Sequence, residues 1–524
     1  MYLVDDFKVN VSSEIGTLRT LLVHSPDSGL GKVVPSKAQD WLFEDIVHLD
    51  TIRKDEYDYY LKLLLYFLDP FKIKGKLKEI DSDFSRDFYK PANAKFHAST
   101  KVVELQQLLS DILAQENIKH KIVASVCAIE GCTYQLQNEL INTNPVELAK
   151  IIISGSIAKD RMIFAPIPNL IFTRDIGITI NNYILLNKPA KKARSRETLI
   201  ARYIFFNHPL FASYKENIIE IPDSLQHFLR PGEENEQKST LEGGDVMVVS
   251  SNHLLIGFSE RTSATAISET IKILFDKNVV EKVSVVKIPH KRDFMHLDTV
   301  FTQVKRNMWV ILESIGMVDS RGSGNEPIDH LINEEPIDKT EVTQFIKGNI
   351  SKPIKFESVE ALLNDISMND LKSREKTEFI YSGNQEFPYD SREQWTDSCN
   401  LLALKEGVVL GYDRNDKTVE AFKNKGFEVV HVKELLIDFE KGIKIKVYKS
   451  FISNNVNFIE IYDDSWEKYY CGLLRNYAIL FPFILSIILS IFSFQFLENK
   501  IIRIGLILSM MYLTILFFIY NFYF

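Results

Sequence analysis

A unit of two short strands, a helix and a returning strand recurs along this chain, and this recurrence most limits how it can fold. In one copy, apolar strands at residues 244–249 and 254–257 are joined by a polar turn. A helix is predicted near residues 262–275 and a returning strand near 283–288. The change from a period of two to a helical period within each copy predicts mixed α/β modules.

A second copy has the same order of elements. Strands are predicted at residues 400–404 and 408–411, a helix at 417–425 and a returning strand at 427–432. Partial copies occur at residues 18–24, 176–206 and 299–313. A module of this kind cannot bury both faces alone, so we expect several modules around one axis with the helices outside, as a propeller of α/β modules.

Two segments do not follow the repeat. Residues 101–153 have Leu105, Leu108, Leu109 and Ile112 at helical spacing and predict an inserted helical subdomain. The polar residues 319–349 predict a surface loop.

Composition limits the function classes that fit this chain. Charged residues make up 25% and the net charge is −8, without the basic excess of a nucleic-acid-binding protein, so we expect a small-molecule partner. The four cysteines, Cys127, Cys132, Cys399 and Cys471, are too scattered for a disulfide framework or a four-cysteine zinc site. They predict a reducing compartment, and we expect the main domain, residues 1–442, to be cytoplasmic, since residues 1–13 do not have a signal-peptide pattern.

The C-terminal part has a different composition. Residues 477–497 and 505–524 are almost uncharged apolar runs, each close to the roughly 20 residues that a membrane-spanning helix needs. They predict a transmembrane hairpin, and hence membrane association, after a divergent connector at residues 443–476. The charges beside these runs do not orient the hairpin, and the sequence gives no oligomeric state.

Acidic residues recur where a strand begins. Asp175, Asp245 and Asp298 each precede a predicted hairpin. In a closed arrangement of modules such starts converge, so we expect the carboxylates to cluster. A carboxylate cluster needs a compensating cation, and the near-absence of metal-ligand spacing favours an organic cation over a metal ion. A planar guanidinium fits because carboxylates accept paired N–H bonds from it.

Two arginines follow acidic residues at equal spacing. Arg194 lies nineteen residues after Asp175, and Arg261 lies nineteen residues after Glu242, which indicates equivalent places in successive modules. Taken singly, each motif has an ordinary structural explanation: a turn for the Glu-Gly-Gly-Asp run, a core histidine for His296 and solvated helix starts for the arginines.

Six runs together resemble the arginine deiminases of the guanidine-modifying superfamily. They are Pro168–Asp175, Arg194–Thr198, Leu241–Val246, Ser259–Thr262, Met295–Phe301 and Arg392–Trp395. Their order and spacing match over about residues 10–440. The resemblance implies a five-module α/β propeller with a helical insertion, which hydrolyses L-arginine to L-citrulline and ammonia without a metal or an organic cofactor.

The resemblance also implies roles for individual residues. Asp175 and Asp298 would grip the guanidinium, and Glu242 would orient and polarise His296, the proton-transfer residue. The amino-acid end of the substrate would be held by Asn169, Phe172, Arg194 and Arg261.

The family's nucleophile is a cysteine in a glycine-rich segment near the C-terminus, whose thiolate attacks the guanidinium carbon. The resemblance stops after residue 442, and residues 443–524 contain no such segment. Cys399, at the start of a module strand, and Cys471 are the remaining thiols to consider, and neither occupies the family's position.

Several hypotheses therefore stay open. The chain is either an arginine deiminase whose catalysis is in doubt or a catalytically inactive, membrane-associated arginine-binding protein. The tail is either a membrane anchor or the product of a lost reading frame. Its richness in Phe, Ile, Leu, Tyr, Ser and Asn favours the lost reading frame. Amidinotransferase chemistry would need the same cysteine and meets the same objection.

Overall fold

The computed structural model describes most of the chain before residue 441 and two short segments after it. The described residues are 7–43, 46–83, 99–157, 161–222, 239–290, 294–316, 340–440, 444–449 and 456–462. The chain divides into two compact units, residues 1–436 and 437–524. The predicted boundaries at residues 442 and 476 stay predictions.

The described strands are short, and most come in antiparallel pairs. They are β1 (Leu21–Val23), β2 (Val102–Glu104), β3 (Gly177–Ile180), β4 (Tyr183–Leu186), β5 (Ile218–Ile219), β6 (Val246–Ser250), β7 (His253–Phe258), β8 (Lys282–Lys287), β9 (Phe301–Lys305), β10 (Met308–Ile311), β11 (Glu341–Ile346), β12 (Ile354–Phe356), β13 (Glu378–Tyr381), β14 (Leu402–Lys405), β15 (Val408–Leu410), β16 (Lys444–Lys449) and β17 (Val456–Tyr462). The last two pair with each other in the second unit.

The described helices lie between these strands, with one run of four before β2 and a second run of four before β3. They are α1 (Ala38–Trp41), α2 (Leu49–Thr51), α3 (Asp58–Leu68), α4 (Leu77–Ser82), α5 (Leu105–Leu113), α6 (Glu116–Glu130), α7 (Tyr134–Ile141), α8 (Pro145–Ser154), α9 (Ser195–Asn207), α10 (Ala264–Asp276), α11 (Glu313–Gly316), α12 (Val359–Asp365), α13 (Tyr389–Trp395), α14 (Asp416–Asn424) and α15 (Val432–Glu440).

Three sheets of the first unit share one pattern of strands. In each, an antiparallel hairpin is joined by a third strand that runs parallel to the second strand of the hairpin. The three sets are β3–β4 with β5, β6–β7 with β8, and β9–β10 with β13. This is the strand, turn, strand, helix and returning strand that the sequence predicts, and it gives a mixed α/β fold.

Two further sheets of this unit are smaller. Strands β1 and β2 form a parallel pair, and β14 and β15 form an antiparallel pair. The sheet that contains β8 is extended to five strands by β11 and β12. Strand β11 lies within the polar residues 319–349, so the loop prediction is wrong for residues 341–346. Here Val342 is buried against the core, and all six residues pair with β8.

The predicted strand at residues 427–432 is also wrong. The described chain has no strand there, and α15 begins at Val432. The Phe427 ring instead packs edge-on against Phe422 of α14, with ring centroids 5.3 Å apart, while Val429 is 43% exposed. An apolar alternation without a neighbouring strand to accept its backbone hydrogen bonds does not form a sheet.

Helices α5 to α8 occupy the stretch predicted as a helical insertion. Their buried faces, which include Leu108, Ile122, Leu148 and Ile152, belong to one apolar cluster with α9. The first residues of this stretch differ from the prediction, since Val102–Glu104 form β2 and pair with β1. Both valines are buried, as suits β-branched residues in a strand.

The predicted transmembrane hairpin, residues 477–497 and 505–524, lies outside the described residues. Within the part of the chain that the structure describes, no helix combines the length and the apolar character needed to cross a membrane.

Candidate active site

Three tight turns that precede the hairpins of successive modules carry the predicted acidic residues. Asp175 lies in the turn Thr173–Ile176 before β3, and Asp298 lies in Leu297–Thr299 before β9. The turn Gly243–Asp245 before β6 directly follows Glu242. Asp175, Asp245 and Asp298, which recur at strand starts in the sequence, therefore have equivalent positions in the fold.

The three turns are hydrogen-bonded to one another. The N–H of Gly244 donates to Asp175 Oδ1 (3.1 Å), and the N–H of Leu297 donates to Asp245 Oδ1 (2.9 Å). Asp245 also accepts from Ser259 Oγ and Thr262 Oγ1, both at 2.6 Å. Asp245 is thus fully used in holding the turns together, whereas the other acidic residues face a common buried region.

At the centre of this region Arg194 is surrounded by three carboxylates. Its Nη1 lies 3.0 Å from Asp175 Oδ2 and 2.9 Å from Glu242 Oε2, and its Nε lies 2.9 Å from Glu197 Oε2. All four side chains are buried. Burying so many charges is costly unless each is paired, and Arg194 supplies that pairing.

His296 bonds the same oxygen of Glu242. Its Nε2 lies 3.0 Å from Glu242 Oε2. Burial opposes the imidazolium, but the negative charge of Asp175 and the hydrogen bond to Glu242 raise the pKa of His296 to about 10. Burial also opposes the carboxylate of Glu242, yet the hydrogen bond from His296 and the charge of Arg194 lower its pKa to about 2. At neutral pH the pair is an imidazolium and a carboxylate, so His296 carries a proton that it can donate.

Gly244 is needed for this placement of His296. A Cβ atom at position 244 would lie 2.6 Å from His296 Nδ1 and 2.7 Å from its Cγ. Only a residue without a side chain lets the imidazole pack directly on the turn.

Asp298 differs from the other acidic residues in being only partly paired. Its Oδ2 lies 3.5 Å from Nε of Arg174, and its buried Oδ1 has no hydrogen-bond partner among the described residues. Burial is the main cause that raises the pKa of Asp298 to about 7, against the lowering effect of Arg174 and His296. An unpaired buried carboxylate oxygen is costly and is a ready acceptor for a ligand.

Arg261 lies close to the acidic cluster, but its Nε is not hydrogen-bonded to the carboxylates there. It is 3% exposed, its Nε has no hydrogen-bond partner among the described residues, and its charge acts on Glu242. Arg261 therefore retains donor capacity for a ligand anion.

Asn169 and Phe172 face a different neighbourhood. The amide of Asn169 donates to the carbonyl oxygen of Trp41 (2.9 Å), and the half-exposed ring of Phe172 stacks on Phe43 with centroids 6.4 Å apart. The carbonyl of Phe172 accepts from the N–H of Asp175. These two residues thus adjoin the acidic cluster through the backbone, and their placement around a substrate stays a prediction.

Sequence reasoning missed two residues that hold the site. Glu197 pairs with Arg194 across one helical turn, and its three-residue spacing from Arg194 was a usable signal. Glu14 pairs with Arg174 at 3.1 Å, and no local pattern connects residues so far apart in the sequence.

The cluster also has the composition of a small metal site. Asp175, Glu242 and His296 offer ligand atoms that lie within 4.8 Å of one another. However, Asp175 Oδ2 and Glu242 Oε2 already accept hydrogen bonds from Arg194, so a metal ion would have to sit beside a guanidinium. The donor set therefore fits an organic cation better than a metal ion.

A second buried histidine has the hydrogen-bond order of a nucleophile triad. His253 Nε2 lies 2.8 Å from Ser284 Oγ, and its Nδ1 lies 2.7 Å from Asp370 Oδ2. Both Ser284 and His253 are 0% exposed within the five-stranded sheet. A substrate cannot reach this serine, so the relay fastens β7 to β8 and to the turn that carries Asp370.

None of the described cysteines contacts the acidic cluster. Cys399 is buried in the apolar cluster around Trp309, and burial raises the pKa of its thiol to about 12. Burial likewise raises the pKa of Cys127 to about 12, and Cys127 belongs to helix α6. A thiol with so high a pKa is poorly nucleophilic at neutral pH. Cys471 lies outside the described residues.

Known proteins match this chain over most of its length. The sequence model of the arginine deiminase family matches residues 137–435. The arginine deiminase of Bacillus cytotoxicus is 30% identical over 435 residues, which cover 81% of this chain and 93% of that protein. The arginine deiminase of Staphylococcus aureus is 29% identical over 436 residues, covering 82% and 94%.

Solved structures match only weakly. An inosamine-phosphate amidinotransferase from Streptomyces griseus is 13% identical, with 49% of this chain and 61% of that chain covered and a TM-score of 0.30. The assignment therefore rests on the sequence matches. Since the family model covers more than half of the chain and the relatives are matched almost from end to end, this chain belongs to the arginine deiminase family.

Proposed function

We propose that the chain binds L-arginine with its guanidinium in the cluster of Asp175, Glu242, His296 and Asp298. The observation that carries this proposal is Asp298 Oδ1, a buried acceptor without a partner among the described residues, beside carboxylates that already hold a guanidinium. A cationic planar donor would satisfy this oxygen. Arg261, whose buried Nε lies 4.0 Å from Glu260 Oε1 and has no hydrogen-bond partner among the described residues, would donate to the carboxylate end of the ligand.

The second candidate is hydrolysis of L-arginine to L-citrulline and ammonia, the reaction that the family resemblance implies. The His296–Glu242 pair favours it, because binding alone does not need a charged imidazole held on a carboxylate. Hydrolysis would also require a thiolate at the guanidinium carbon. The described cysteines do not supply one, so binding is the function that the geometry supports better.

Citrulline release separates the two candidates. We expect purified chain incubated with L-arginine to release no citrulline, because the thiol of Cys399 is buried away from the cluster. A colorimetric citrulline assay measures this, with Cys399→Ser and Cys471→Ser as matched variants. Release that stops in one variant would identify that cysteine as a displaced nucleophile and overturn the binding-only proposal.

Arginine binding should depend on pH through Asp298. Its pKa of about 7 lies above the ordinary value, so the carboxyl is protonated below pH 7 and ionised above it. Because a guanidinium needs the carboxylate, we expect affinity to fall by about tenfold for each pH unit below 7 and to be constant from pH 8 to 9. Calorimetry across pH 5.5 to 9 measures this.

Glu197 titrates in the same range, since burial raises its pKa to about 7. Asp298→Asn tells the two groups apart: the remaining affinity should then vary little with pH. A slope that survives in this variant would assign the titration to another group.

The arrangement of the modules and the tail belong to the same proposal. We propose that five modules surround one axis, which the hydrogen bonds between their strand-start turns support. Membrane association through residues 477–524 stays a prediction, and flotation of the full chain with liposomes tests it.

A further inference from the structure

Arg194 already occupies the place that a ligand guanidinium would take. The family resemblance assigns Arg194 to the carboxylate end of the substrate, yet its side chain points into the acidic cluster. Its Nη1 bridges Asp175 and Glu242 at 3.0 and 2.9 Å. Asp175 is one of the two carboxylates expected to grip the substrate's guanidinium, so the two assigned roles conflict in this structure.

A second guanidinium could not simply be added beside the first. Asp175 Oδ1 is taken by the N–H of Gly244 and its Oδ2 by Arg194, while Glu242 Oε2 is shared between Arg194 and His296. A ligand cation would also lie next to two buried positive groups, the guanidinium of Arg194 and the imidazolium of His296. In a buried site, repulsion between such like charges is strong.

One hydrogen bond can hold the Arg194 side chain in place while its terminal nitrogens move. Its Nε donates to Glu197 Oε2 at 2.9 Å, and Glu197 lies in the first turn of α9. The buried Nη2 of Arg194 has no hydrogen-bond partner among the described residues. Only Nη1 is therefore bound to the acidic residues that face the ligand, and losing that contact leaves the bond to Glu197 intact.

We propose that Arg194 is an internal guanidinium that closes the ligand site, and that a bound guanidine displaces its Nη1 from Asp175 and Glu242. The inference rests on the proposed function, because it concerns the same site. Arg194 then lowers the affinity for a guanidine by the cost of this displacement, and so helps to set which ligands bind. A ligand with a carboxylate can recover part of the cost by pairing with the released arginine.

Methylguanidinium is the discriminating probe because it has no carboxylate. If Arg194 only held the ligand's carboxylate, Arg194→Gln would weaken L-arginine binding and leave methylguanidinium binding unchanged. If Arg194 closes the site, Arg194→Gln should bind methylguanidinium about tenfold more tightly than the unmodified chain, as expected when the open form is populated to about one tenth.

Calorimetric titration of the full chain with methylguanidinium and with L-arginine measures both affinities. Arg202→Gln is the matched control, since Arg202 pairs with Glu220 at the surface and outside the cluster, and the methylguanidinium affinity of this variant should stay unchanged. Arg194→Lys retains the positive charge and should not show the tenfold gain.

A readout without substitutions covers the case in which Arg194→Gln fails to fold. The side-chain Nη1–H resonance of Arg194, observed by NMR, should shift when methylguanidinium is added to the unmodified chain, because Nη1 loses its contacts with Asp175 and Glu242. An unshifted resonance with bound methylguanidinium, or equal affinity in Arg194→Gln, would overturn the inference and leave arginine binding intact. Failure of the unmodified chain and of both Arg194 variants to bind either ligand would overturn the proposed function together with the inference.

Discussion

Asp298→Asn should weaken L-arginine binding by about 100-fold, close to 3 kcal/mol of binding free energy. The substitution keeps the shape of the side chain but removes a buried charge that faces the ligand. Its partial contact with Arg174, 3.5 Å long, is the described ion pair that the change would loosen. Removing one partner of a buried charged pair costs about 2–5 kcal/mol, because the other charge stays buried without compensation. Calorimetry at pH 8, where the carboxyl is ionised, measures the loss.

Asp413→Asn is the matched control for this experiment. Asp413 is 80% exposed and contacts His431 on the surface, so the same chemical change there should leave the affinity unchanged. Equal affinities of Asp298→Asn and the unmodified chain would remove Asp298 from the ligand site. Asp175 is a less clean target, since it also accepts the N–H of Gly244 and would disturb the packing of the turns.

The charge pattern at this site explains why the cluster can be buried at all. Arg194 compensates Asp175 and Glu242, and the imidazolium of His296 adds a second positive group against Glu242. Asp298 is the member with least compensation, and its pKa is accordingly raised to about 7. Internal cations thus compensate most of the negative charge of the cluster. An external cation therefore has to replace part of these internal contacts when it binds.

The sequence was sufficient to predict the modules and the convergence of their first residues. Hairpins β3–β4, β6–β7 and β9–β10 formed where an apolar alternation was interrupted by a polar turn. The equal spacing from Asp175 to Arg194 and from Glu242 to Arg261 did not indicate equivalent positions, since Asp175 lies within its turn and Glu242 precedes its turn. The hairpins and their strand starts are local or periodic features, so they can be read without knowing which residues meet in space.

Other features depended on tertiary contacts that no local pattern records. The direction of the Arg194 side chain depends in part on Glu242 of the next module, and Glu14 pairs with Arg174 across 160 residues of sequence. Residues 427–432 have strand-like alternation but no strand to pair with, whereas β11 forms within a polar stretch because β8 offers a free edge. In both cases the presence or absence of a neighbouring strand determined whether a strand formed, against the intrinsic propensity of the segment.

Gly243→Ala should lower the free energy of unfolding by about 3 kcal/mol, at the upper end of the usual cost of overpacking. A Cβ at this position would lie 2.0 Å from the carbonyl oxygen of Arg174 and 3.0 Å from the Cα of Asp175. Both atoms belong to the backbone of the neighbouring turn, so no side-chain rotation can relieve the clash. The turns must separate, which would also weaken the bond between Asp175 and Gly244 and reduce arginine affinity.

Urea unfolding followed by far-UV circular dichroism measures the loss of stability, and calorimetry measures the loss of affinity. Gly411→Ala is the matched control, because its added Cβ would meet Cδ2 of Leu401, the far end of a flexible side chain, at 2.8 Å. We expect the control to change stability far less, since Leu401 can rotate away. A Gly243→Ala chain as stable as the control would mean that the turns before β3 and β6 approach less closely than the structure shows, and the shared placement of Asp175 and Glu242 would fall with it.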